Sequence, residues 1–452
     1  MMTRRLIVIG GDAAGMSAAA QARRMAPADA LEIVAFERGS RTSYAACGLP
    51  YLIGGLVESP DRLVARTPEQ HRANGIDVRI CHEVLAIDVK AATVTVRDLD
   101  KGQETVMHYD ELLIATGASG IVPPWPGIDA EGVLQLRTLD DAAEVERRIG
   151  AGARRAVVVG AGYIGLEVAE NLLARGLEVT VMERLDAPMG AVLDADMAAA
   201  VADAMRAAGV DLQLGTAVTG FTVTDGHVSA VQTAAGSVAA DLVLIGLGVR
   251  ANVELARAAG MEVGEAGGIV VDEQQRTHTP HVWAAGDCVE SRHRVTGRAV
   301  VVALGTHANK QGRVAGTNIA GGEASFGGVL GTAITKFQDL EIARTGLTER
   351  EAEAAGLDAF GVITEASSRA HYYPGGQSMR IKIVAERQTG RMLGAQIVGG
   401  QGAGKRIDVL ATALWNKMSL DEVGGMDLSY APPFSPVWDP VLLAAGKAAA
   451  KL

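Results

Sequence analysis

The chain has 452 residues, of which 48% are hydrophobic, 21% charged and 4% aromatic, with 55 glycines, a composition typical of an α/β protein of two or three domains. Its formal net charge is −11, and no run of lysine and arginine is present, which argues against nucleic acid and anionic membranes as partners. The apolar stretch near the N-terminus is interrupted by glycine and aspartate and is too short for a membrane helix, so we expect a cytoplasmic protein.

The first glycine-rich segment is residues 10–15 (Gly-Gly-Asp-Ala-Ala-Gly), between a β-branched run and an alanine-rich helical pattern at residues 16–25. A strand, a tight turn and a helix N-terminus present backbone N–H groups to a pyrophosphate. The next predicted strand ends at Glu37, 22 residues after Gly15, where a carboxylate accepts hydrogen bonds from a ribose. Asp12 would repel a pyrophosphate, so we expect it to point into solvent or toward a helix N-terminus.

A second copy of the pattern begins at residues 160–165 (Gly-Ala-Gly-Tyr-Ile-Gly), again between a strand and a helix, here residues 166–175. Its acidic partner is Glu183, 18 residues after the last glycine. Two such units about 150 residues apart predict two bound dinucleotides. Glu183 would accept a hydrogen bond from a ribose 2′-OH and repel a 2′-phosphate, which favours NADH, although Arg184 would allow some use of NADPH.

Cys47 lies in residues 43–51 (Ser-Tyr-Ala-Ala-Cys-Gly-Leu-Pro-Tyr), among small residues and a Gly-Leu-Pro turn. We interpret it as the redox-active nucleophile, and Cys81 and Cys288 as packing residues. A dithiol reductase would have a second cysteine at the position of Leu52 and a proton-relaying histidine in its C-terminal tail. This chain has neither, since no histidine follows residue 405. Cys47 must therefore react with sulfur or oxygen from outside, as a mixed disulfide or as a sulfenic acid. Both options are open at this point.

Two further apolar runs, residues 112–118 and 282–287, end in a small residue and glycine. The second places Asp287 at the carboxyl end of a predicted strand, where it would accept hydrogen bonds from a ligand or serve as a turn residue. From residue 327 onward, runs at 332–340, 358–366, 379–386 and 392–398 alternate like an antiparallel sheet, and residues 404–416 are typical of an amphipathic helix. The proline-rich segment after residue 430 is expected to lack regular structure, and its aromatic residues indicate an interface, a substrate pocket or simple core packing.

Together these segments resemble the pyridine nucleotide-disulfide oxidoreductases along nearly the whole chain. The resemblance is strongest to the single-cysteine branch, which contains coenzyme A (CoA) disulfide reductases, NADH oxidases, NADH peroxidases and persulfide reductases. It implies an α/β fold with two Rossmann-like dinucleotide-binding domains and a C-terminal α+β dimerisation domain. The segments that carry it are both glycine-rich turns with their acidic partners, residues 43–51, residues 284–287, residues 371–375 and residues 430–435. The implied boundaries are residues 1–118 and 250–325 for FAD, 119–249 for NAD(P)H and 326–452 for dimerisation.

The activity implied by this resemblance is FAD-dependent reduction of CoA disulfide, or of a CoA persulfide or polysulfide, by NADH or NADPH through a mixed disulfide at Cys47. Oxidase and peroxidase relatives carry a histidine inside the first turn, whereas this chain has Asp12, Ala13 and Ala14 there, which favours the mixed disulfide. The CoA assignment is weakened at Ala46, where relatives with this activity tend to have asparagine. The alternatives are an NADH oxidase or peroxidase that uses a sulfenic acid, a flavoprotein that donates electrons to a ferredoxin-like partner, and a redox-sensing dimer.

The resemblance also implies roles for individual residues. No residue pattern in the sequence indicates a zinc or iron–sulfur site, so we expect no metal. Tyr430, joined by Tyr372 and Tyr373, would assist Cys47 from the other subunit of a homodimer. Tyr163 would cover the flavin as a movable gate, or serve as a packing residue. The residues implied for FAD are Gly10, Ala13, Ala14, Gly15, Glu37, Arg38, Val84, Thr116, Gly117, Gly286 and Asp287. Those implied for NAD(P)H are Gly160, Gly162, Tyr163, Ile164, Gly165, Glu183 and Gly248. Those implied for CoA are Ser17, Gln21, Arg24, Ser43 and His307.

Overall fold

The computed structural model describes residues 3–452 of the chain. Its strands are β1 (Arg4–Ile9), β2 (Leu31–Phe36), β3 (Asp77–Arg79), β4 (His82–Asp88), β5 (Thr93–Asp98), β6 (Gln103–His108), β7 (Glu111–Ile114), β8 (Ala118–Gly120), β9 (Val133–Leu134), β10 (Arg155–Val159), β11 (Glu178–Met182), β12 (Asp211–Gln213), β13 (Val218–Thr224), β14 (His227–Thr233), β15 (Gly236–Ala239), β16 (Leu242–Ile245), β17 (Val249–Ala251), β18 (Val282–Ala284), β19 (Ser291–Arg292), β20 (Ala299–Val300), β21 (Ala333–Phe337), β22 (Leu340–Gly346), β23 (Ala359–Ser367), β24 (Ser378–Glu386) and β25 (Met392–Gly399). Its α-helices are α1 (Ala13–Met25), α2 (Leu49–Ile53), α3 (Pro68–Ala73), α4 (Leu139–Gly150), α5 (Tyr163–Ala174), α6 (Ala195–Ala207), α7 (Glu254–Ala258), α8 (Gly305–Ile319), α9 (Glu349–Ala354), α10 (Ile407–Trp415), α11 (Leu420–Gly424) and α12 (Pro440–Ala449).

The chain forms two compact units, and the first comprises residues 3–48, 57–121 and 249–329. Its central sheet is parallel, with the strand order β18-β7-β1-β2-β3. The buried residues of β1 and β2 are apolar on both faces, and most are isoleucine, valine or leucine, as is typical of a parallel sheet covered on both sides. One face packs against α1 and α8, and the other against the antiparallel sheet β4-β5-β6.

Close packing of α1 on α8 depends on small residues. A Cβ atom on Gly312 would lie 2.2 Å from the carbonyl oxygen of Ala14, and one on Gly316 would lie 2.2 Å from that of Ala18. The alanines of α1 and the glycines of α8 therefore allow the two helix backbones to approach each other. This contact fixes the N-terminal end of α1 against the sheet.

The second unit comprises residues 49–56, 122–248 and 330–452. It contains another parallel sheet, with the order β12-β11-β10-β16-β9. The small antiparallel sheet β13-β14-β15 packs on this sheet through buried apolar side chains, and α5 directly follows β10. This strand, turn and helix repeat the arrangement of β1 and α1 in the first unit.

The C-terminal part of the second unit is an antiparallel sheet with the order β21-β22-β25-β24-β23. Its central strand β25 is buried along its whole length, and α10 and α12 contact the sheet. The predicted α/β fold class is confirmed, including the α+β arrangement of this C-terminal part. The three domain boundaries inferred from the resemblance stay a prediction.

Several predicted elements have different bounds in the structure. The run 332–340 is the whole of β21 and the first residue of β22, so most of β22 was missed, and α12 was missed as well. Both α1 and α5 begin three residues before the predicted helices, because the end of each glycine-rich turn already forms helix. Residues 430–436 lack regular structure, as predicted. Among residues 3–452, no helix is both long enough and apolar enough to cross a bilayer.

Candidate active site

The first glycine-rich turn is shaped by two glycines that no other residue could replace without movement of the backbone. Gly10 has φ +109°, and a Cβ atom there would lie 2.1 Å from the carbonyl oxygen of Ala115. A Cβ atom on Gly15 would lie 1.9 Å from the carbonyl oxygen of Gly10. The turn therefore passes directly into α1, whose first turn contains no acidic residue. A helix N-terminus of this kind favours a bound anion.

Glu37 holds the same turn from the end of β2. Its Oε2 accepts a hydrogen bond from the backbone N–H of Gly11 at 2.8 Å, and its Oε1 accepts one from Gly39 at 2.7 Å. Among the other residues predicted for FAD, Arg38 is exposed on the following loop and Val84 is half-buried on β4. The carboxylate position predicted from sequence spacing thus lies at the carboxyl edge of the sheet.

Two other loops meet the turn at this edge. Gly286 has φ +91° and donates its N–H to Oε1 of Gln311 at 2.8 Å, and a Cβ atom on it would lie 2.7 Å from Cβ of Ala14. Thr116, on the loop after β7, donates its hydroxyl to the carbonyl oxygen of Asn252 at 2.7 Å. The structure therefore brings the predicted residues of the first turn, Glu37, residues 116–117 and residues 286–287 to one edge of one sheet.

Asp12 is half-buried at this edge and is the N-cap residue of α1. Burial raises its pKa to about 6, and the negative charges of Glu37 and Asp287 act in the same direction. The nearby backbone N–H groups of Ala13 and Tyr44 oppose the rise in pKa. The side chain of Asp12 makes no capping hydrogen bond to α1, so its orientation toward the helix N-terminus stays a prediction.

The second turn reproduces this geometry. Gly160 has φ +102°, and a Cβ atom on it would lie 2.5 Å from the carbonyl oxygen of Gly246. Glu183 Oε2 accepts a hydrogen bond from the N–H of Ala161 at 2.8 Å, as Glu37 does from Gly11. Two independent sheets in one chain thus carry the same turn and the same carboxylate anchor. Both turns fit the pyrophosphate and ribose of a dinucleotide.

Tyr163 is the first residue of α5, directly after the second turn. Burial raises the pKa of its hydroxyl to about 12, and the positive charge of Arg344 opposes this effect. The phenol therefore stays neutral at physiological pH. Ile164 follows it in the helix, and Gly248 is exposed after β16.

Cys47 is exposed and lies in a short 3-10 helix, Ala46–Gly48. The loop before it is tied to the first turn, since Ser43 donates its N–H to the carbonyl oxygen of Gly11 at 3.1 Å. It is also tied to the segment before α3, since Ala45 donates its N–H to the carbonyl oxygen of Leu63 at 2.8 Å. This arrangement places an accessible sulfur on a loop that is anchored to the first nucleotide turn.

The other two cysteines have different surroundings. Cys288 is fully buried, and burial raises the pKa of its thiol. Its Sγ lies 3.4 Å from the carbonyl oxygen of Ala285. Cys81 is half-buried. Cys47 is the most exposed of the three cysteines.

The residues predicted for CoA on α1 share one helical face. Ser17 Oγ donates to Oδ1 of Asn309 at 2.6 Å, Gln21 Nε2 donates to Oγ1 of Thr317 at 3.0 Å, and Arg24 donates to Oε1 of Gln21 at 2.6 Å. Sequence reasoning missed Asn309 and Thr317, because no local signal gives the register of α8 against α1. The structure therefore adds two polar residues of α8, Asn309 and Thr317, to the three predicted residues of α1.

The other two residues predicted for CoA lie on different elements. His307 is half-buried near the start of α8, and its ring meets the ring of Phe326 edge to face at 6.3 Å. Burial lowers its pKa, and Lys310 acts in the same direction. Ser43 lies on the loop that carries Cys47.

Two of the three predicted tyrosines meet in the second unit. The hydroxyl oxygens of Tyr372 and Tyr430 lie 3.3 Å apart, although the residues belong to separate segments. Both side chains are exposed, at 64% and 45%. The hydrogen bond with Tyr372 raises the pKa of Tyr430. Tyr373 points its ring toward the guanidinium of Arg369 instead, at 5.8 Å.

Two dinucleotide turns and an accessible cysteine define a nucleotide-dependent oxidoreductase, and comparison with known proteins gives its family. The model of the pyridine nucleotide-disulphide oxidoreductases matches residues 4–322, and that of their dimerisation domain matches residues 332–440. The chain belongs to this family. Its cofactors are therefore FAD and NAD(P)H, and its activity is that of an oxidoreductase.

Several relatives are similar along nearly the whole chain. An NAD(P)H coenzyme A polysulfide/persulfide reductase from Pyrococcus horikoshii is 39% identical over 446 residues, which is 98% of both chains. An NADH oxidase from Methanocaldococcus jannaschii is 39% identical over 451 residues, or 99% of both. The solved structure of an NAD-dependent persulfide reductase from A. fulgidus superimposes with a TM-score of 0.96 at 41% identity, and covers 99% of this chain and 83% of the other. Coenzyme A disulfide reductases also match.

Proposed function

We propose that this chain reduces CoA disulfide, or a CoA persulfide or polysulfide, at Cys47. The observation that carries the proposal is the accessible sulfur of Cys47 on a loop bound to the first nucleotide turn. The position of a second, resolving cysteine is occupied by Leu52, which is buried. A single cysteine cannot form an internal disulfide, so the oxidised state has to be a bond to an external group.

In the proposed reaction, the Cys47 thiolate attacks one sulfur of the substrate disulfide. A Cys47–substrate disulfide forms, the substrate disulfide breaks, and one thiol leaves with a proton. FAD, when bound, would supply an electron pair that originates in NAD(P)H. Two electrons and one proton return the mixed disulfide to the Cys47 thiolate and a second free thiol.

Different residues of the chain would bind the cofactors, bind the substrate and donate the proton. The first turn, Glu37 and residues 116–117 and 286–287 would hold FAD, and the second turn with Glu183 would hold the nicotinamide nucleotide. The exposed hydroxyl pair of Tyr372 and Tyr430 would donate the proton to the leaving thiol. Because Glu183 would repel a 2′-phosphate, NADH should be used in preference to NADPH. The row of Ser17, Gln21 and Arg24 would bind the polar part of CoA.

An NADH oxidase or peroxidase is the second candidate, and the 39% identity to the NADH oxidase of Methanocaldococcus jannaschii favours it. In that reaction Cys47 would become a sulfenic acid. Asp12, a carboxyl group whose pKa is raised to about 6, stands in the turn where the resemblance gives oxidases a histidine. A carboxyl group does not supply the imidazole that the resemblance associates with oxygen chemistry, which favours the disulfide reaction.

The test is steady-state NADH oxidation by the FAD-loaded protein with CoA disulfide, a CoA persulfide, hydrogen peroxide and air. Turnover with the CoA compounds well above the rate in air is expected, and Cys47→Ser should lower it to below about a thousandth. Cys81→Ser serves as the matched control and should keep its rate. Full turnover in Cys47→Ser would exclude the proposal, and turnover with air or peroxide alone would assign the second candidate.

A cytoplasmic location and the role of the C-terminal tail stay predictions.

A further inference from the structure

Ser43, four residues before Cys47, has an unusual backbone conformation. Its φ is +52°, in the left-handed region that costs an L-residue other than glycine about 1–2 kcal/mol. Contacts around the residue must outweigh that cost, since a left-handed serine does not persist on its own. Three hydrogen bonds do so. Its N–H donates to the carbonyl oxygen of Gly11 at 3.1 Å, and its own carbonyl oxygen accepts from Ala65 at 2.8 Å. The third is made by its side chain.

The side chain of Ser43 is bound to His71 of α3, with 2.9 Å between Oγ and Nε2. His71 is only 2% exposed. Its own position is fixed at both backbone groups, because its N–H donates to the carbonyl oxygen of Thr67 and its carbonyl oxygen accepts from Asn74 and Ile76. The imidazole therefore holds Ser43 from a rigid helix, not from a loop.

The protonation state of His71 follows from its surroundings. Burial lowers its pKa, and the positive charge of Arg66 lowers it further, so the ring is neutral at physiological pH. Within residues 3–452, its Nδ1 has no hydrogen-bond partner. A buried N–H without an acceptor costs about 1–3 kcal/mol, so the hydrogen belongs on Nε2. In this tautomer Nε2–H donates to Ser43 Oγ.

Packing alone does not explain a histidine at this position, because an apolar side chain would fill the same space without burying a ring nitrogen that lacks a partner. The hydrogen bond to Ser43 is the compensating interaction. It acts on the loop whose order decides where Cys47 lies, and the following residues of that loop pair with residues 63–65 through the Tyr44–Val64 bridge.

We propose that His71 is a positioning residue for the sulfur site, and that it holds the loop that carries Cys47 by fixing Ser43 in its left-handed conformation. The inference rests on the proposed function only in assigning sulfur chemistry to this loop. It gives α3, which is remote in sequence from both nucleotide turns, a role in the reaction.

The test compares His71→Leu, Ser43→Ala and the double variant in the FAD-loaded enzyme. Loss of the hydrogen bond should speed amide hydrogen exchange in residues 42–49 by about tenfold, the effect of one net hydrogen bond. It should lower kcat/KM for CoA disulfide by about the same factor. Because both residues act on the loop through one bond, the double variant should be no worse than Ser43→Ala alone. His71→Gln, which returns an amide N–H near the position of Nε2, should recover part of the loss.

His293→Leu is the matched control, because it removes another buried histidine of the same unit. It should leave exchange in residues 42–49 as it is in the natural protein. Unchanged exchange in His71→Leu, or effects of His71→Leu and Ser43→Ala that multiply in the double variant, would overturn the inference. The exchange measurement needs no substrate. It therefore still decides the inference if Cys47→Ser keeps full turnover and the proposed function fails.

Discussion

Asp12 shows how a single side chain at a nucleotide turn couples folding to pH. Its pKa is raised from 3.8 to about 6 by burial, together with the charges of Glu37 and Asp287. The folded protein therefore holds a proton on Asp12 between these pH values, whereas the unfolded chain has lost it. The charged form destabilises the fold, and the destabilisation is complete above pH 6 and absent below the unfolded pKa.

Asp12→Asn should remove this dependence. The advantage of the variant over the natural protein in unfolding free energy should grow by about 2–2.5 kcal/mol between pH 4 and pH 8. The measurement is the apparent melting temperature of both proteins across that range. Asp29→Asn, which changes an exposed aspartate, is the control and should give a constant difference. Parallel curves for Asp12→Asn would contradict the pKa assigned to the carboxyl group.

At the scale of secondary-structure elements, one lysine joins the C-terminal sheet to two helices. Lys382 of β24 has a side chain that is 3% exposed. Its Nζ bonds Asp194, the N-cap residue of α6, at 3.1 Å, Asp196 of the same helix at 2.8 Å, and Glu349 of α9. Gln396 of β25 also donates to Asp194, at 2.6 Å. One cation thus balances three carboxylates that would otherwise repel one another.

Lys382→Met should destabilise the protein, because it leaves those carboxylates without their cation. Two of them are 45% and 41% exposed, so solvent screens part of the repulsion, and we expect a loss of about 2–3 kcal/mol. The urea midpoint measures it, followed by the fluorescence of the tryptophans, of which Trp125, Trp415 and Trp438 lie in the second unit. Lys451→Met removes an exposed lysine of the same unit and should have little effect. A midpoint equal to that of the natural protein would show that the cluster contributes nothing to stability.

The sequence predicted the elements that are determined by residues close together in the chain. Both glycine-rich turns and the positions of Glu37 and Glu183 follow from spacing alone, because a strand, a turn and a helix fix one another over a few residues. The run 332–340 concealed the start of β22, since a hairpin between β21 and β22 leaves only two residues in the turn.

The missed features depend on contacts between distant segments. Lys382 is 186 residues from Asp196, and Ser17 is 292 residues from Asn309. The bond between Ser43 and His71 spans 28 residues and joins a loop to a helix. No periodicity in a sequence encodes such a pair. Only the packing of the sheets and helices brings these residues together.

At the scale of the whole molecule, the family's dimerisation domain contains the exposed pair of Tyr372 and Tyr430. Both side chains are exposed, at 64% and 45%, so both are open to contact by a second copy. The prediction from the resemblance is that they serve Cys47 of the partner subunit.

Mixed dimers test whether the tail acts on the partner subunit. Cys47→Ser homodimers lack the nucleophile, and homodimers of Tyr372→Phe/Tyr430→Phe lack the proton donors, so both should be slow. A dimer with one subunit of each kind has one site with both parts intact if the tyrosines act on the other chain. Equal amounts, unfolded and refolded together, make half of the dimers mixed, so the activity should reach about a quarter of the natural value. If the tyrosines act on their own chain, every site lacks one part and mixing restores nothing.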